Sequence, residues 1–150
     1  MAIRRILKHD DLTLLKNSRP VERFDDRLAQ LLDDLAQTMH GAEGCGLAAV
    51  QVGVLRRAAV IDCGDGSGVT EIVNPEIIES SGSQEEQEGC LSFPGEYGIT
   101  RRPAVVKLRA QNRRGQWCFY KAEGLRARAF CHEIDHMNGV LFQKHVIRKE

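Results

Sequence analysis

The segment His132-Glu133-Ile134-Asp135-His136 constrains this chain more than any other. Side chains four residues apart stack on one face of an α-helix, so His132 and His136 can grip one metal ion between them. Glu133 falls about 100° further round at ~3.6 residues per turn. That puts it beside such an ion and not on it, where a general base for a bound water belongs. The competing reading is a solvated helix face with two incidental histidines. Two histidines do not complete a site, because catalytic zinc-type centres take three protein ligands and leave a fourth position open. The fold must therefore bring another ligand to this helix.

Candidates for that ligand are His9, His40, His145, the five cysteines and several acids. Cys90 has the most telling setting, Glu88-Gly89-Cys90-Leu91-Ser92 followed by Phe93-Pro94-Gly95. Gly89 lets the backbone approach closely, and Pro94-Gly95 marks a turn. Residue chemistry alone leaves the choice open, since most cysteines are small buried apolar groups.

A chain of 150 residues is one domain with room for a proper core. Twenty-one basic residues balance twenty-one acidic ones, so net charge argues for no nucleic-acid or membrane partner. No segment has the length and apolarity of a membrane span. The run Met1 to Leu7 reaches Lys8-His9-Asp10-Asp11 before any apolar stretch of signal-peptide length, so a cytoplasmic protein is expected. Five cysteines without paired CxxC spacing disfavour a disulfide framework and suit a reducing compartment. Cys45, Cys63, Cys118 and Cys131 read as packing residues. Lys144 to Lys149 read as a solvated basic tail.

Leu28, Leu31, Leu32, Leu35 and Met39 recur at helical spacing between Asp25, a candidate N-cap, and Gly41, which predicts an amphipathic helix near the N-terminus. Arg57–Asp62 reads as a strand, and Thr70–Ile78 as another broken by Pro75, with a glycine-rich turn at residues 64–68 between them. Ala104–Ala110 and Gln116–Ala122 flank Asn112-Arg113-Arg114-Gly115 as a hairpin. A late helix spans about Leu125–Asn138 and stops at Gly139, with Leu125, Ala129, His132 and His136 on one face. Helix, strands, then helix is an α+β order with antiparallel sheets.

Three blocks, Gly44-Cys45-Gly46-Leu47-Ala48-Ala49-Val50-Gln51, Glu88-Gly89-Cys90-Leu91-Ser92 and His132-Glu133-Ile134-Asp135-His136, stand in the order and spacing of the peptide deformylases, which this chain resembles over nearly its whole length. The departures are Val50 where proline is common, Cys131 where glutamine is common, and Met137 for leucine, a volume-conserving exchange. The resemblance implies antiparallel sheets wrapped round a central metal-binding helix, in a single catalytic domain over residues 1–150. It implies Cys90, His132 and His136 as ligands of one divalent ion. Fe2+ is the expected working ion, with Zn2+, Ni2+ or Co2+ as substitutes. The implied reaction removes the N-formyl group from formyl-methionine of nascent polypeptides, at the ribosome, by a monomeric protein with no DNA or membrane partner. Hydroxide on the metal would attack the formyl carbon, with Glu133 as general acid and base. Gln51 and the Leu91 N–H would steady the oxyanion. Gly44 and Gly46 would lie beside the substrate backbone. The methionine side chain would meet Leu125, Ala129, Phe130 and His132, and Asp135 would orient an imidazole or cap a neighbouring group.

Two other readings predict different outcomes. A His-Glu-x-x-His endopeptidase would cut internal peptide bonds and take another His or Glu as third ligand. A structural metal module would be four-coordinate and closed.

Overall fold

Leu28, Leu31, Leu32, Leu35 and Met39 form a buried stripe on helix α1 (Asp26–Gly41). Asp25 begins the helix as N-cap, its carboxylate accepting from the Leu28 N–H at 3.1 Å. Burying each leucine contributes roughly 1.5–3 kcal/mol, which makes the stripe the main reason this helix docks. The structure is a computed structural model that describes residues 2–148; Met1 and Lys149 of the terminal runs lie outside them.

The stripe packs on a five-stranded antiparallel sheet with strand order β1-β2-β3-β6-β7. Its strands are β1 (Gly46–Ala48), β2 (Ala58–Ile61), β3 (Thr70–Ser81), β6 (Val105–Gln111) and β7 (Trp117–Glu123). Strand β2 has no polar face. Ala58 and Val60 belong to the core under α1, whereas Ala59 and Ile61 belong to the core under a second helix, α2 (Gly124–Met137). The alternation of side chains along a strand thus serves two helices, one on each face of the sheet.

Strand β3 does not break at Pro75. Its pairing with β6 shifts register between Val73 and Glu76, and Asn74 takes a positive φ of 49°. A bulge tolerates the missing proline N–H. The Asn74 side chain secures it, donating to the Val21 carbonyl and to Gln111 Oε1 and accepting from the Val21 N–H.

Between β3 and β6 the chain leaves the sheet and returns. Ser81 pairs with Val105, and the intervening residues form a hairpin of β4 (Gln84–Cys90) and β5 (Phe93–Arg102). The sequence reading had no strands here and placed a turn at Pro94-Gly95. The reversal falls instead at Leu91-Ser92, and Pro94 and Gly95 lie within β5. Polar residues along β4 hid the strand, because their partners are charged groups and not a lipid-like core. A short strand β8 (Val146–Arg148) pairs with β5 to complete a three-stranded sheet β4-β5-β8. Residues 146–148 of the expected solvated tail therefore form a strand, and Arg148 reaches Glu85 at 3.0 Å.

Helix α2 ends where Gly139 takes a φ of 71°, the left-handed stop common after helices. The α+β class, the antiparallel sheets and the central late helix agree with the sequence reading. Among the described residues no helix is long and apolar enough to cross a membrane.

Candidate metal centre and active site

Helix α2 turns the face bearing His132 and His136 inward, and both imidazoles are buried. Their Nε2 atoms stand 3.1 Å apart. The tip of the β4–β5 hairpin delivers Cys90, whose Sγ lies 3.3 Å from His136 Nε2. All three donor atoms fall within 4.8 Å of one another. Tetrahedral ligation with metal–nitrogen bonds of about 2.0–2.1 Å and metal–sulfur bonds of about 2.3 Å requires donors roughly 3.3–3.6 Å apart. The Cys/His set therefore fits a divalent ion, and no fourth protein donor joins it among the described residues.

Two facing imidazole nitrogens need their tautomers fixed. His132 Nδ1 bonds Glu88 Oε2 at 2.6 Å, which leaves its Nε2 directed at the ligand cluster. Glu88 is itself held on every side. Its Oε1 accepts from Thr100 Oγ1 at 2.6 Å, Arg102 Nε at 3.0 Å and Arg128 Nη2 at 3.2 Å; its Oε2 accepts from Arg102 Nη2 at 2.7 Å. Burial works to raise the Glu88 carboxyl, but the bonds from His132 and Arg102 outweigh it and hold its pKa well below the usual carboxylate range. A second guanidinium nitrogen of Arg102 meets Asp135 at 2.7 Å. Two carboxylates and two guanidiniums thus balance inside the protein, which burial of such charges demands.

Asp135 consequently orients neither metal-site imidazole. It holds Arg102, and His145 Nε2 lies 3.1 Å from it. The residue that orients an imidazole is Glu88, which the sequence reading quoted but gave no role. No local signal marks it: the sequence shows no strand pattern at β4, and the pairing with β5 is irregular between Glu88 and Cys90, so simple alternation from Cys90 does not place Glu88. Arg102, Thr100 and Arg128 carry no signal either.

Glu133 is buried beside the cluster, and its Oε1 has no hydrogen-bond partner. Burial pushes its pKa up to about 7, with the His132 charge opposing and Glu88 adding. His136 is held well below the ordinary imidazole value by burial and by the neighbouring His132. For His132, burial acts downward, but contacts with Cys90, Glu133 and Glu88 raise it well above the ordinary value. The two facing Nε2 atoms, 3.1 Å apart, have room for one proton at most between them.

Gln51 is buried beside Cys90. The Ala48 N–H donates to its Oε1 at 3.0 Å, which fixes the amide so that Nε2 points at Ser92 Oγ (3.1 Å) and toward Cys90 Sγ (3.6 Å). Leu91, next to Cys90 at the hairpin tip, covers Gly44, where a Cβ would lie 2.5 Å from Leu91 Cδ1.

A cleft of about 400 Å³ opens beside these groups, lined by Gly44, Gly46, Leu91, Leu125, Ala129 and His132 among others. Phe130 does not line it. That side chain is fully buried on the far side of α2, 6.0 Å from the Tyr120 ring. Two residues before His132 is about 200° round a helix, which turns Phe130 away. Val50, Cys131 and Met137, the three departures, are also core residues and leave the cleft wall untouched. Cys63 lies just beyond β2 and Cys118 on β7, both half-buried and not deep in the core.

Residues 3–150 match the family model described as Polypeptide deformylase. The chain is 52% identical over 149 residues to the peptide deformylase of Alkaliphilus metalliredigens, covering 99% of this chain and 100% of that one. It is 54% identical to the peptide deformylase of Caldicellulosiruptor bescii, covering 99% and 88%. Among solved structures, a peptide deformylase from Legionella pneumophila superposes with a TM-score of 0.92 at 47% identity, over 96% of this chain and 86% of that one. One from Thermotoga maritima gives 0.92 at 39% identity, over 96% and 97%.

Proposed function

The chain belongs to the polypeptide deformylase family, and from that premise we propose how its residues divide the work of removing the N-formyl group from nascent polypeptides. The reaction is a metal-dependent hydrolysis of an amide that releases formate. The observation that carries the assignment of roles is the convergence of Cys90 Sγ, His132 Nε2 and His136 Nε2, with the buried Glu133 carboxylate beside them.

Cys90, His132 and His136 would hold the ion, which when bound lowers the pKa of water and polarises the formyl carbonyl. Glu133 takes the proton of the attacking water and delivers it to the departing amine nitrogen. A carboxyl near 7 suits both halves of that task at neutral pH, and such transfers are worth ~10²–10⁴ in rate. Gln51 Nε2 and the Leu91 N–H donate to the oxygen that gains charge, each worth ~2.7–4 kcal/mol by analogy with other hydrolases. The Ala48 N–H bond to Gln51 Oε1 keeps that amide from turning its oxygen inward.

Gly44 and Gly46 precede or begin β1, the edge strand of its sheet, and they border the cleft. An extended peptide laid along that edge gains backbone hydrogen bonds with little regard for its later side chains. The methionine side chain lies against Leu125, Ala129 and His132, with Phe130 supporting the wall from behind. We further propose Fe2+ as the working ion with Zn2+, Ni2+ or Co2+ as substitutes, since mixed Cys/His ligation suits both zinc and iron. A single catalytic domain spanning 1–150, a monomer, a cytoplasmic location and action at the ribosome complete the reading.

An anaerobic assay of formyl-Met, formyl-norleucyl, formyl-Ala and acetyl-Met peptides, with metal analysis, tests it. Formate release should be fast for formyl-Met, nearly as fast for norleucine, slower for alanine, and poor for the acetyl group. A hydrophobic pocket separates substrates by ~1–3 kcal/mol per methylene. New internal peptide termini without formate would mean an endopeptidase instead, and equal rates for formyl-Ala and formyl-Met would remove the pocket.

A further inference from the structure

Cys45 and Cys63 belong to neighbouring segments, and their thiols have no part in the mechanism. Gly46 pairs with Ile61, and one step outward the Asp62 N–H donates to the Cys45 carbonyl at 2.9 Å. Continued alternation would put Cys45 on the α1 side of the sheet, where Leu47 and Val60 point. It leaves that alternation and packs with Cys63 against the core on the α2 side. Asp62, between them, turns the other way to meet His40 at 2.8 Å. Both side chains are half-buried, and neither cysteine is in a disulfide.

Their position gives that pairing reach. Cys45 sits between Gly44 and Gly46, and both glycines are pressed against site residues. A Cβ on Gly44 would lie 2.5 Å from Leu91 Cδ1, and one on Gly46 would lie 2.5 Å from Glu133 Oε2. The backbone at 44–46 therefore cannot shift toward the site without pushing Leu91 or Glu133 aside.

We propose that Cys45 and Cys63 form a reversible oxidation site, in which a hydroperoxide converts the pair to a disulfide that displaces the 44–46 segment and slows the enzyme. The Cys63 sulfur attacks the hydroperoxide, the O–O bond breaks, and an alcohol or water leaves with the thiol proton, giving a sulfenic acid. The Cys45 sulfur then displaces that hydroxyl, which departs as water with the second thiol proton. Two thiols have given two electrons to one hydroperoxide. The S–S bond draws the sulfurs to about 2.05 Å, well inside van der Waals contact, and the strain falls on the 44–46 segment because Cys63 follows a strand paired on both sides. The two thiols are unevenly poised, the influence of each on the other raising the Cys45 pKa and lowering that of Cys63, which favours Cys63 as the attacking sulfur.

The site goes beyond the deformylase reading, and its chemical arm is independent of it. Zinc-loaded protein, whose ion has no redox chemistry, is treated with hydrogen peroxide, alkylated and digested without reductant. Expected are loss of two thiols, a Cys45–Cys63 linked peptide, and a fall in kcat/KM of about tenfold to a hundredfold that dithiothreitol reverses. Cys63→Ser should form no linked peptide and keep its activity at the same dose. Linkage through other cysteines, an unaltered thiol count, equal inactivation of Cys63→Ser, or a disulfide that leaves kcat/KM unchanged would each overturn the proposal. The peptide map of the parent protein decides the chemistry even if the variant folds poorly.

Discussion

Gly46 and Glu133 meet so closely that a methyl group on residue 46 would lie 2.5 Å from the Glu133 carboxylate oxygen and 3.0 Å from its Cδ. The glycine is there to make room for a buried acid. Gly46→Ala should leave the three metal donors in place yet push the carboxylate off its position. We expect normal metal content and a loss of roughly a hundredfold in kcat, measured by metal analysis and steady-state formate release.

Glu133→Gln tests the same carboxylate by charge and not by position. The amide fills the same space, so the ion should remain at full stoichiometry. Deformylation should fall by ~10²–10⁴ with KM little altered. Loss of metal in this variant would make Glu133 a ligand and end its assignment as acid and base.

Among single cysteine replacements, Cys90→Ala should lose metal, whereas Cys118→Ala should retain it, because only Cys90 stands within reach of both imidazoles. Competition against a chelator gives the comparison. Full metal and activity in Cys90→Ala would show that the third ligand has been misidentified.

Glu88→Gln weakens the bond that fixes His132 and leaves Arg102 and Arg128 without their shared carboxylate. Removing such a supporting partner typically costs ~10–100-fold in metal affinity, and breaking a buried pair costs about 3–5 kcal/mol of stability. Chelator competition and denaturant unfolding should both register it. A normal affinity with reduced stability would confine Glu88 to the fold.

Asp34 predicts an acid limit away from the site. Burial alone would raise its carboxyl, but the Ala2 N–H, Arg4 and Gln30 outweigh burial and hold the pKa below 3.8. A depressed folded-state pKa gives stability that is fully present above the ordinary value and is lost as pH falls through the depressed one. Unfolding free energy should therefore drop below about pH 4, and Asp34→Asn should flatten that drop. Its cost near neutral pH should be about 1.5–3 kcal/mol. An identical acid profile in the variant would place the acid limit elsewhere.

The sequence carried the metal helix because four-residue spacing is a local property: His132, His136 and the off-axis Glu133 follow from the turn of an α-helix. The same arithmetic supports Leu125 and Ala129 on that face, seven and three residues before His132, and excludes Phe130, which is therefore no part of the methionine pocket it was expected to line. Cys90 as third ligand came from a resemblance, because nothing local separates a ligand thiol from a packing one.

What the chain determined by itself was what depends on neighbours along the chain: the leucine stripe and Asp25 cap of α1, the Asn112–Gly115 turn between β6 and β7, the Gly139 stop. Only the tertiary structure decided that polar β4 and β5 form a hairpin, and that its tip meets α2. Glu88 and His132 are 44 residues apart, as are their roles in the sequence pattern. A carboxylate on a polar strand is written like any solvent-facing acid. It becomes a buried support only when Thr100, Arg102 and Arg128 arrive from two other elements to offset the cost of taking its charge out of water.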